Sequence, residues 1–272
     1  MPEGDSIFKA AARLRPVLEG KTVVRFEAAR AAGSMPKPGC TITSVEAVGK
    51  HLLVHFDDRH VLQTHLRMTG RWDVYRRGER WRKPPHLARA VIETEDHVAV
   101  CFNAPVVRIH RESASGASPS LRRAIGHLGP DLCRPDADLD EVVERMATIP
   151  EGDAPVVDVL LDQRVAAGVG NVFKSEVLWA VKVAPSTKIA DIDLATRRAL
   201  VEIAAKQLRA NLTTGRRTTV AGPPGSVAVY GRTRRPCRRC GTPIRSARMG
   251  ADARSTYWCP RCQPEPEGPA PR

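Results

Sequence analysis

Residues 237–262 read CRRCGTPIRSARMGADARSTYWCPRC, in which two Cys-x-x-Cys pairs are separated by eighteen residues. Two such pairs supply four thiolates for a tetrahedral Zn²⁺ ion, as in zinc ribbons and hairpin fingers. The segment has almost no apolar core of its own, so a metal must fold it. We therefore predict one structural zinc ion bound by Cys237, Cys240, Cys259 and Cys262.

Four free thiols, two disulfides and a redox dithiol are the alternatives for these cysteines. No strand–helix–strand pattern surrounds either pair, which disfavours the redox dithiol. A closed four-thiolate site has no open position for catalysis, so the finger would position another residue. Arg254, just before Cys259, is the natural candidate.

The same region carries most of the positive charge of the chain. The 272 residues include 43 Lys and Arg and 30 Asp and Glu, a formal net charge of +13. Between Arg209 and Cys262 there are twelve arginines and one acid, Asp252, which gives +11. These like charges repel one another unless an anion compensates them. The pattern therefore favours nucleic-acid contact over a solvated basic surface.

Composition excludes several other classes. Hydrophobic residues make up 42%, which indicates a globular chain and not a disordered basic tail. No apolar run approaches the roughly 18 residues of a membrane span, and no signal-peptide pattern begins the chain. We expect a soluble cytoplasmic protein with no membrane partner. Cys40, Cys101 and Cys133 are interpreted as small core or surface residues.

Hydrophobic periodicity predicts an α+β chain. An amphipathic helix is predicted over 5–18, with Asp5 as its cap. Short strands are then predicted over 22–26, 41–48, 51–56, 61–66, 90–94 and 98–102. Several strands at this spacing indicate a sandwich or barrel. The second half is predicted to be helical; its helices are one capped by Asp138, one over 155–164, one after Asn171 and one over about 193–212.

Residues 160–174 read LLDQRVAAGVGNVFK and predict two helices joined by a turn that contains Gly168 and Gly170, with Asn171 capping the second helix. Glycines let a backbone approach a ligand closely, and amides at a helix start favour an anion such as a DNA phosphate. A dinucleotide-binding fold is disfavoured because no strand leads into the turn and the next glycine is missing. The basic region favours phosphate binding over a plain interhelical turn.

The N-terminus offers a possible nucleophile. Met1 precedes a small residue, so aminopeptidase trimming would expose Pro2, followed by Glu3. A prolyl amine forms an iminium with an electrophilic sugar carbon, and a neighbouring carboxylate shuttles protons. Many proteins begin with proline for no chemical reason, so this motif alone decides nothing.

Together these motifs resemble the Fpg/Nei family of DNA glycosylases. The matching segments occur in the family's order over nearly the whole chain: PEGD at 2–5, VGKHLL at 48–53, HLRMTG at 65–70, LGPD at 128–131, the turn at 168–171, VYGR at 229–232 and RSTYWCPRC at 254–262. The opening Pro-Glu-Gly-Asp resembles the endonuclease VIII branch, especially its actinobacterial members, and not the Pro-Glu-Leu-Pro of the Fpg branch.

The resemblance implies a bifunctional DNA glycosylase and AP lyase of base excision repair that removes oxidised pyrimidines. Pro2 would attack C1′ of the damaged nucleotide, release the base and leave a Schiff base. Glu3 would protonate the sugar ring oxygen or the leaving group, and Lys50 would contact phosphate and assist proton transfer. Arg254 would bind the phosphate that leaves in the later β- and δ-elimination.

The resemblance also implies how DNA is held. Asn171 and the neighbouring turn amides would grip phosphates beside the lesion. Arg67 and Met68 lie where the family places the wedge that fills the gap left by the everted nucleotide; a buried Met that ends a strand is the alternative. His127 lies near the position of a DNA-contacting arginine of the endonuclease VIII branch.

The chain departs from the family pattern at two places. Ser6 stands where many members have an acid, which puts a proton-shuttle role there in doubt. Asn103–Arg111 replaces the Arg-Arg-Phe-Gly segment that supplies two further wedge residues in the Fpg branch. The reduced wedge predicts weak reading of the opposite base and good tolerance of single strands.

The expected organisation is multidomain α+β. It comprises an N-terminal helix plus β-sandwich that forms the catalytic domain (1–120), a helix–two-turn–helix DNA-binding domain with a mobile loop (121–231), a C-terminal zinc finger (232–263) and a disordered tail (264–272). The expected partner is damaged DNA, double- or single-stranded. The enzyme is expected to be a monomer in the bacterial cytoplasm, associated with the nucleoid.

Two other functions stay open. The same chemistry aimed at oxidised purines is possible because the sequence does not display the lesion pocket. A catalytically silent zinc-finger DNA-binding protein is disfavoured because Pro2, Glu3, Lys50 and Arg254 are all present.

A metal-dependent nuclease is disfavoured because no Asp/Glu/His cluster with ligand spacing occurs outside the four cysteines. The histidines 51, 55, 60 and 65 straddle a turn between strands, where ordinary sheet positions are the better interpretation. His86 and His110 receive no role.

Overall fold

The computed structural model describes residues 2–113, 116 and 118–265. The chain forms two compact units, one ending at His127 and one beginning at Leu128. The expected disordered tail, 264–272, lies outside the described residues except for its first two positions. No helix in the described ranges is long and apolar enough to cross a membrane.

Helix α1 (Gly4–Leu18) opens the first unit. Ile7, Ala11, Leu14 and Leu18 recur at helical spacing and are buried in the main core, as the periodicity predicts. The cap prediction is wrong, because Glu3 occupies the N-cap position and Asp5 lies inside the first turn.

A β-sandwich follows α1 and has eight strands within the described residues: β1 (Arg25–Glu27), β2 (Ile42–Val48), β3 (His51–Phe56), β4 (His60–His65), β5 (Arg71–Arg76), β6 (Ala88–Glu93), β7 (His97–Phe102) and β8 (Val106–Arg111). The strand orders are β1-β6-β7-β5 in one sheet and β2-β3-β4-β8 in the other. All neighbouring strands are antiparallel. Each of the six predicted strands overlaps an observed one, and β5 and β8 are additional.

Alternation along the strands sorts side chains onto two faces. In β6, Ala90 and Ile92 join the core shared by α1 and both sheets. Val91 instead joins a second cluster on the other face of its sheet, where Phe102 and Trp81 pack. This sheet is therefore buried on both faces. The first unit ends with α2 (Pro119–Ile125).

The second unit contains the helices α3 (Leu139–Thr148), α4 (Val156–Val159), α5 (Asn171–Val181) and α6 (Leu194–Ala210), then the strands β9 (Arg245–Met249) and β10 (Arg254–Trp258). Asp138 caps α3 as predicted, accepting a hydrogen bond from the Glu141 backbone N–H at 3.0 Å. Helix α6 packs against α3 and α5, and β9 pairs with β10 in an antiparallel hairpin.

The prediction of one helix over 155–164 is wrong, since α4 has four residues. Side chains compete with the helical hydrogen bonds there. Asp162 Oδ1 accepts from the Arg164 N–H at 2.9 Å, and Gln163 donates to the carbonyl oxygens of Leu161 and Val169. The multidomain α+β class is confirmed, while the exact domain boundaries stay a prediction.

Candidate active site

The four paired cysteines form a compact cluster at the finger. Their Sγ atoms all lie within 4.8 Å of one another. Cys237 Sγ is 3.9 Å from Cys262 Sγ, and Cys240 Sγ is 3.5 Å from Cys259 Sγ and 3.4 Å from Cys262 Sγ. A tetrahedral zinc with Zn–S bonds of about 2.3 Å places its sulfurs about 3.8 Å apart, whereas a disulfide needs about 2.05 Å. The cluster therefore fits one structural zinc ion.

Helix α5 is attached to this cluster through Trp179. The Trp179 indole Nε1–H donates to Cys237 Sγ at 3.4 Å, and the Arg239 guanidinium lies over the indole ring at 4.1 Å. Donors to a ligating sulfur orient it and stabilise its negative charge. The finger is thus held against the helix that begins at Asn171.

A second group of possible ligand atoms is formed by Cys40, Asp57 and Asp58. Burial, with the nearby charges of Asp58 and Asp57, raises the pKa of the Cys40 thiol to about 11. The carboxylates are used by the turn, since Asp57 Oδ1 accepts from the Thr41 N–H at 2.9 Å and Asp58 Oδ1 from the His60 N–H at 3.2 Å. We assign no metal to this group.

Pro2 and Glu3 lie at the start of α1. The Glu3 side chain is fully buried, and its backbone oxygen accepts from the N–H groups of Ser6 at 2.9 Å and Ile7 at 3.2 Å. A helix N-terminus stabilises negative charge, which suits a carboxylate at this position. The helix thereby fixes the two residues of the predicted nucleophile and proton donor on a rigid element.

Asp5 is a buried acid that the sequence reasoning assigned only to capping. Its carboxylate is 3.4 Å from Lys9 Nζ and accepts a 3.3 Å hydrogen bond from Ser6 Oγ. Ser6 therefore acts as a hydrogen-bond donor to the neighbouring carboxylate.

Lys50 occupies the two-residue turn between β2 and β3, where Gly49 has φ +57°. Positive φ at the first central position of a tight hairpin favours glycine. Helix α1 packs against both strands that this turn joins. Lys50 is therefore carried by the same packed unit as Pro2 and Glu3.

Two histidines lie next to this turn. His51 and His65 are directly opposite on β3 and β4, with ring centroids 4.8 Å apart. Burial, followed by the charges of His65 and His127, lowers the pKa of His51 to about 3. Burial, followed by the charges of Arg67 and Lys50, lowers the pKa of His65 to about 4. Both rings are neutral at physiological pH, which leaves Lys50 as the cation of this turn.

Met68 lies at the tip of a tight turn after β4. Its side chain is 63% exposed, so the alternative of a buried methionine is wrong. Arg67 has φ +44°, and its N–H donates to His65 Nδ1 at 3.1 Å. A Cβ at Gly70 would lie 2.7 Å from the Leu66 oxygen, so the turn requires glycine there. The geometry presents an apolar side chain outward, and the wedge role stays a prediction.

His127 is exposed and follows α2. Its charge contributes to the low pKa of His51, so it lies near the Lys50 turn. Its role in DNA contact stays a prediction.

The glycine-containing turn of the second unit precedes α5. Gly168 has φ +103°, and its N–H donates to Gln163 Oε1 at 3.1 Å. Gly170 occupies the N-cap position and Asn171 is the first helical residue, so the prediction that Asn171 caps α5 is wrong. The Asn171 side chain instead reaches β10, where Nδ2 donates to the Ser255 oxygen at 2.7 Å.

Lys174 connects Asn171 to the finger and was missed by the sequence reasoning. It is fully buried, and its Nζ donates to Asn171 Oδ1 and to Thr256 Oγ1, both at 2.7 Å. Thr256 Oγ1 in turn donates to the Arg254 oxygen at 3.2 Å. A continuous hydrogen-bonded path therefore joins the predicted phosphate-binding residues Asn171 and Arg254. The i, i+3 spacing of Asn171 and Lys174 was the only available signal.

Arg254 begins β10, and its side chain is 44% exposed. Its Nη2 lies 3.2 Å from Asp252, which is 70% exposed. Ion pairs between exposed side chains contribute little free energy, so the guanidinium is readily exchanged onto an incoming anion.

Part of the arginine-rich stretch has a structural role. Guanidinium groups of Arg209, Arg232, Arg238 and Arg239 donate to backbone carbonyl oxygens, at 3.2, 2.9, 3.0 and 3.1 Å respectively.

Buried Glu176 organises the predicted mobile loop, because its carboxylate accepts from three consecutive backbone N–H groups, at 228–230.

Known domains match three regions of the chain. Residues 1–106 match the formamidopyrimidine-DNA glycosylase N-terminal domain, residues 128–221 match the formamidopyrimidine-DNA glycosylase H2TH domain, and residues 235–264 match the zinc finger found in FPG and IleRS. The chain belongs to the Fpg/Nei family of DNA glycosylases.

Individual relatives and structures agree. The chain is 39% identical to a Streptomyces coelicolor protein named probable endonuclease 8 2, covering 100% of this chain and 96% of the relative. It is 34% identical to the DNA-(apurinic or apyrimidinic site) lyase Nei2 of Mycolicibacterium smegmatis, covering 97% and 99%. The fold is similar to that of Fpg (MutM) from Lactococcus lactis in complex with DNA containing an oxidised pyrimidine, with a TM-score of 0.80, 21% identity and coverage of 97% and 100%. The predictions of family, enzyme class and structural zinc are confirmed.

Proposed function

We propose that the protein excises oxidised pyrimidines from DNA as a bifunctional glycosylase and AP lyase, with Pro2 as the nucleophile. The observation that carries this proposal is the placement of Pro2 and the fully buried Glu3 at the start of α1, packed in one unit with Lys50. The relatives named endonuclease 8, from the branch that the opening Pro-Glu-Gly-Asp resembles, support the pyrimidine preference.

The first step forms a covalent intermediate. Glu3 protonates the ring oxygen as the C1′–O4′ bond opens, and the prolyl nitrogen bonds to C1′. The glycosidic bond then breaks, the base leaves with the bonding electrons and takes up the proton that the nitrogen loses, and an iminium remains. A buried carboxyl group beside the nucleophile suits this transfer.

The second stage cuts the strand. The iminium acidifies the C2′ proton, whose removal expels the 3′ phosphate, and a second elimination expels the 5′ phosphate. Lys50 contacts phosphate and assists these proton transfers. Arg254 neutralises the departing phosphate, while Asn171 and the turn that contains Gly168 and Gly170 hold the flanking backbone.

Damaged DNA is the proposed partner. Arg67 and Met68 enter the space that the everted nucleotide leaves, with His127 nearby on the same unit. The relatives are bacterial and the substrate is chromosomal, so we place the enzyme in the cytoplasm with the nucleoid.

Borohydride trapping tests the proposal. Tag-free, zinc-loaded protein with its native N-terminus is incubated with oligonucleotides that carry an abasic site, dihydrouracil or 8-oxoguanine. The matched control keeps an uncleaved N-terminal tag, which converts the amine into an amide. A covalent adduct on the abasic and dihydrouracil strands, lost in the tagged control, is expected.

Each other outcome has a defined meaning. Adducts only on the abasic and 8-oxoguanine strands would keep the chemistry and move the specificity to oxidised purines. No adduct on the abasic strand would contradict an enzyme that uses Pro2 and leave a DNA-binding protein.

A further inference from the structure

A chain of hydrogen bonds crosses the second sheet from the strand after Lys50 to the start of α2. Gln63 Nε2 donates to His51 Nδ1 at 2.9 Å, and Gln63 Oε1 accepts from His110 Nε2 at 2.8 Å. His110 Nδ1 is 2.8 Å from Ser120 Oγ. The first three residues lie on the adjacent strands β3, β4 and β8.

These groups are costly to bury unless they are paired. Gln63 is 1% exposed and His110 is 3% exposed. Ser120 Oγ is 3.0 Å from Ser118 Oγ, which caps α2 by accepting from the Leu121 N–H at 3.2 Å. A buried polar network rigidifies its surroundings when every member is satisfied.

The amide of Gln63 dictates where each imidazole carries its proton. An amide has a donor end and an acceptor end, so His51 must accept at Nδ1 and His110 must donate from Nε2. Burial lowers the pKa of both rings, which are therefore neutral, and each carries its proton on Nε2. His110 Nδ1 is then an acceptor for the Ser120 hydroxyl.

The chain ends at the turns predicted to act on DNA. His51 directly follows Lys50, and its ring packs against His65. His65 Nδ1 accepts from the Arg67 N–H, which belongs to the Met68 turn. The orientation of the His51 ring is thus coupled to both turns and, through β4 and β8, to α2.

We propose that His51, Gln63, His110 and Ser120 form a positioning relay that holds the Lys50 turn in place for the reaction at the sugar. The relay rests on the proposed role of Lys50 and acts through it, since none of its members needs to touch DNA. It assigns a role to histidines that the sequence alone presents as ordinary sheet positions.

Gln63→Glu is the sharpest perturbation, because it preserves shape and removes the donor end. A carboxylate accepts from both rings, so His51 must carry a proton on Nδ1, by transfer from Nε2 or by uptake of a second proton, while His110 keeps its proton on Nε2. Long-range ¹H–¹⁵N spectra of the histidine-labelled, zinc-loaded full chain read these tautomers without DNA. We expect both rings as Nε2–H in the wild type and His51 as Nδ1–H in the variant.

Kinetics connect the tautomer to the reaction. At saturating abasic-site DNA, Gln63→Glu should lower the single-turnover rate of adduct formation by up to about 100-fold, the loss typical of a misplaced catalytic group. The affinity for the same DNA should stay near the wild-type value. Ser120→Ala, which removes the far end of the relay without adding charge, should change the rate in the same direction by a smaller factor.

Thr64→Val is the matched control. Thr64 lies beside Gln63 on β4, is fully buried and accepts a hydrogen bond from Trp72 Nε1 at 3.1 Å, outside the relay. It should lower thermal stability and leave both the tautomers and the rate unchanged.

Three results would overturn the relay: His51 Nδ1 still unprotonated in Gln63→Glu, a rate no lower than that of Thr64→Val, or an affinity loss that accounts for the whole effect. A wild-type protein that forms no adduct contradicts the proposed function instead. The tautomer measurement then still decides whether the relay exists.

Discussion

Lys174→Met tests whether the buried lysine orients the phosphate-binding residues. Methionine keeps an unbranched side chain and removes the charge with both 2.7 Å hydrogen bonds, to Asn171 and Thr256. Thr256 Oγ1 keeps its bond to the Arg254 oxygen, whereas Asn171 Oδ1 loses the donor that fixes its amide. An unsatisfied buried acceptor costs about 1–3 kcal/mol of folding free energy, so a lower melting temperature is expected.

Binding to DNA should weaken as well. The Asn171 amide keeps its Nδ2–H bond to the Ser255 oxygen but loses the lysine that holds its Oδ1, so it is less well oriented for a hydrogen bond to a charged phosphate, a contribution of about 1.5–3 kcal/mol. Affinity should therefore fall by up to about 150-fold, because each 1.4 kcal/mol is a factor of ten. Fluorescence anisotropy with a tetrahydrofuran-containing duplex measures this, at a temperature where circular dichroism shows the variant folded and a zinc assay shows full occupancy.

Lys206→Met is the control, because Lys206 is an exposed lysine on α6 and its replacement removes the same charge. If Lys174→Met binds the duplex as tightly as Lys206→Met does, the orienting role of Lys174 is refuted. Restored affinity in Lys174→Arg would support it, since arginine keeps the charged donor.

Three further outcomes are expected. Glu3→Gln should slow base release from dihydrouracil DNA by about 10²–10⁴-fold, the usual contribution of a general acid. Trapping on abasic-site DNA should persist, and equal losses on both substrates would count against the assigned proton transfer. Met68→Ala should weaken excision from duplex DNA but not from single strands, where no gap needs filling, and an equal loss on both would exclude the wedge. The low pKa values of His51 and His65, about 3 and about 4, mean that the unfolded state binds more protons below pH 6.5. Stability should therefore be complete above that pH and decline as the pH falls towards 4; a flat melting temperature between pH 7 and 4.5 would contradict this.

Local sequence predicts the features whose signal is local. The spacing of the four cysteines and the apolar stripe of α1 each lie within one short segment, and both predictions hold. Strand β5 was missed because its six residues, RWDVYR, begin and end with arginine. Trp72 packs in the main core while Tyr75 packs in the cluster on the other face, so simple alternation is hidden.

The contacts that organise the site join residues far apart in the chain. Gln63 and His110 are 47 positions apart, and Lys174 and Thr256 are 82 apart. A buried lysine and a buried glutamine carry no distinguishing pattern until the fold brings their partners together. The residues themselves pointed to Pro2, Glu3 and Arg254, and the resemblance to a known family gave them their roles, whereas only the three-dimensional structure supplied the groups that orient them.

Helix α5 bears Asn171 at one end and, through Trp179, contacts a zinc-binding cysteine near the other. Two ligands that share one element are thermodynamically linked, and the linkage is reciprocal. If bound zinc raises the affinity of Asn171 for a phosphate, then bound DNA must raise the affinity of the cysteines for zinc by the same coupling free energy. An enzyme bound to damage would then resist chelation better than one in free solution, so its metal content would be protected during repair.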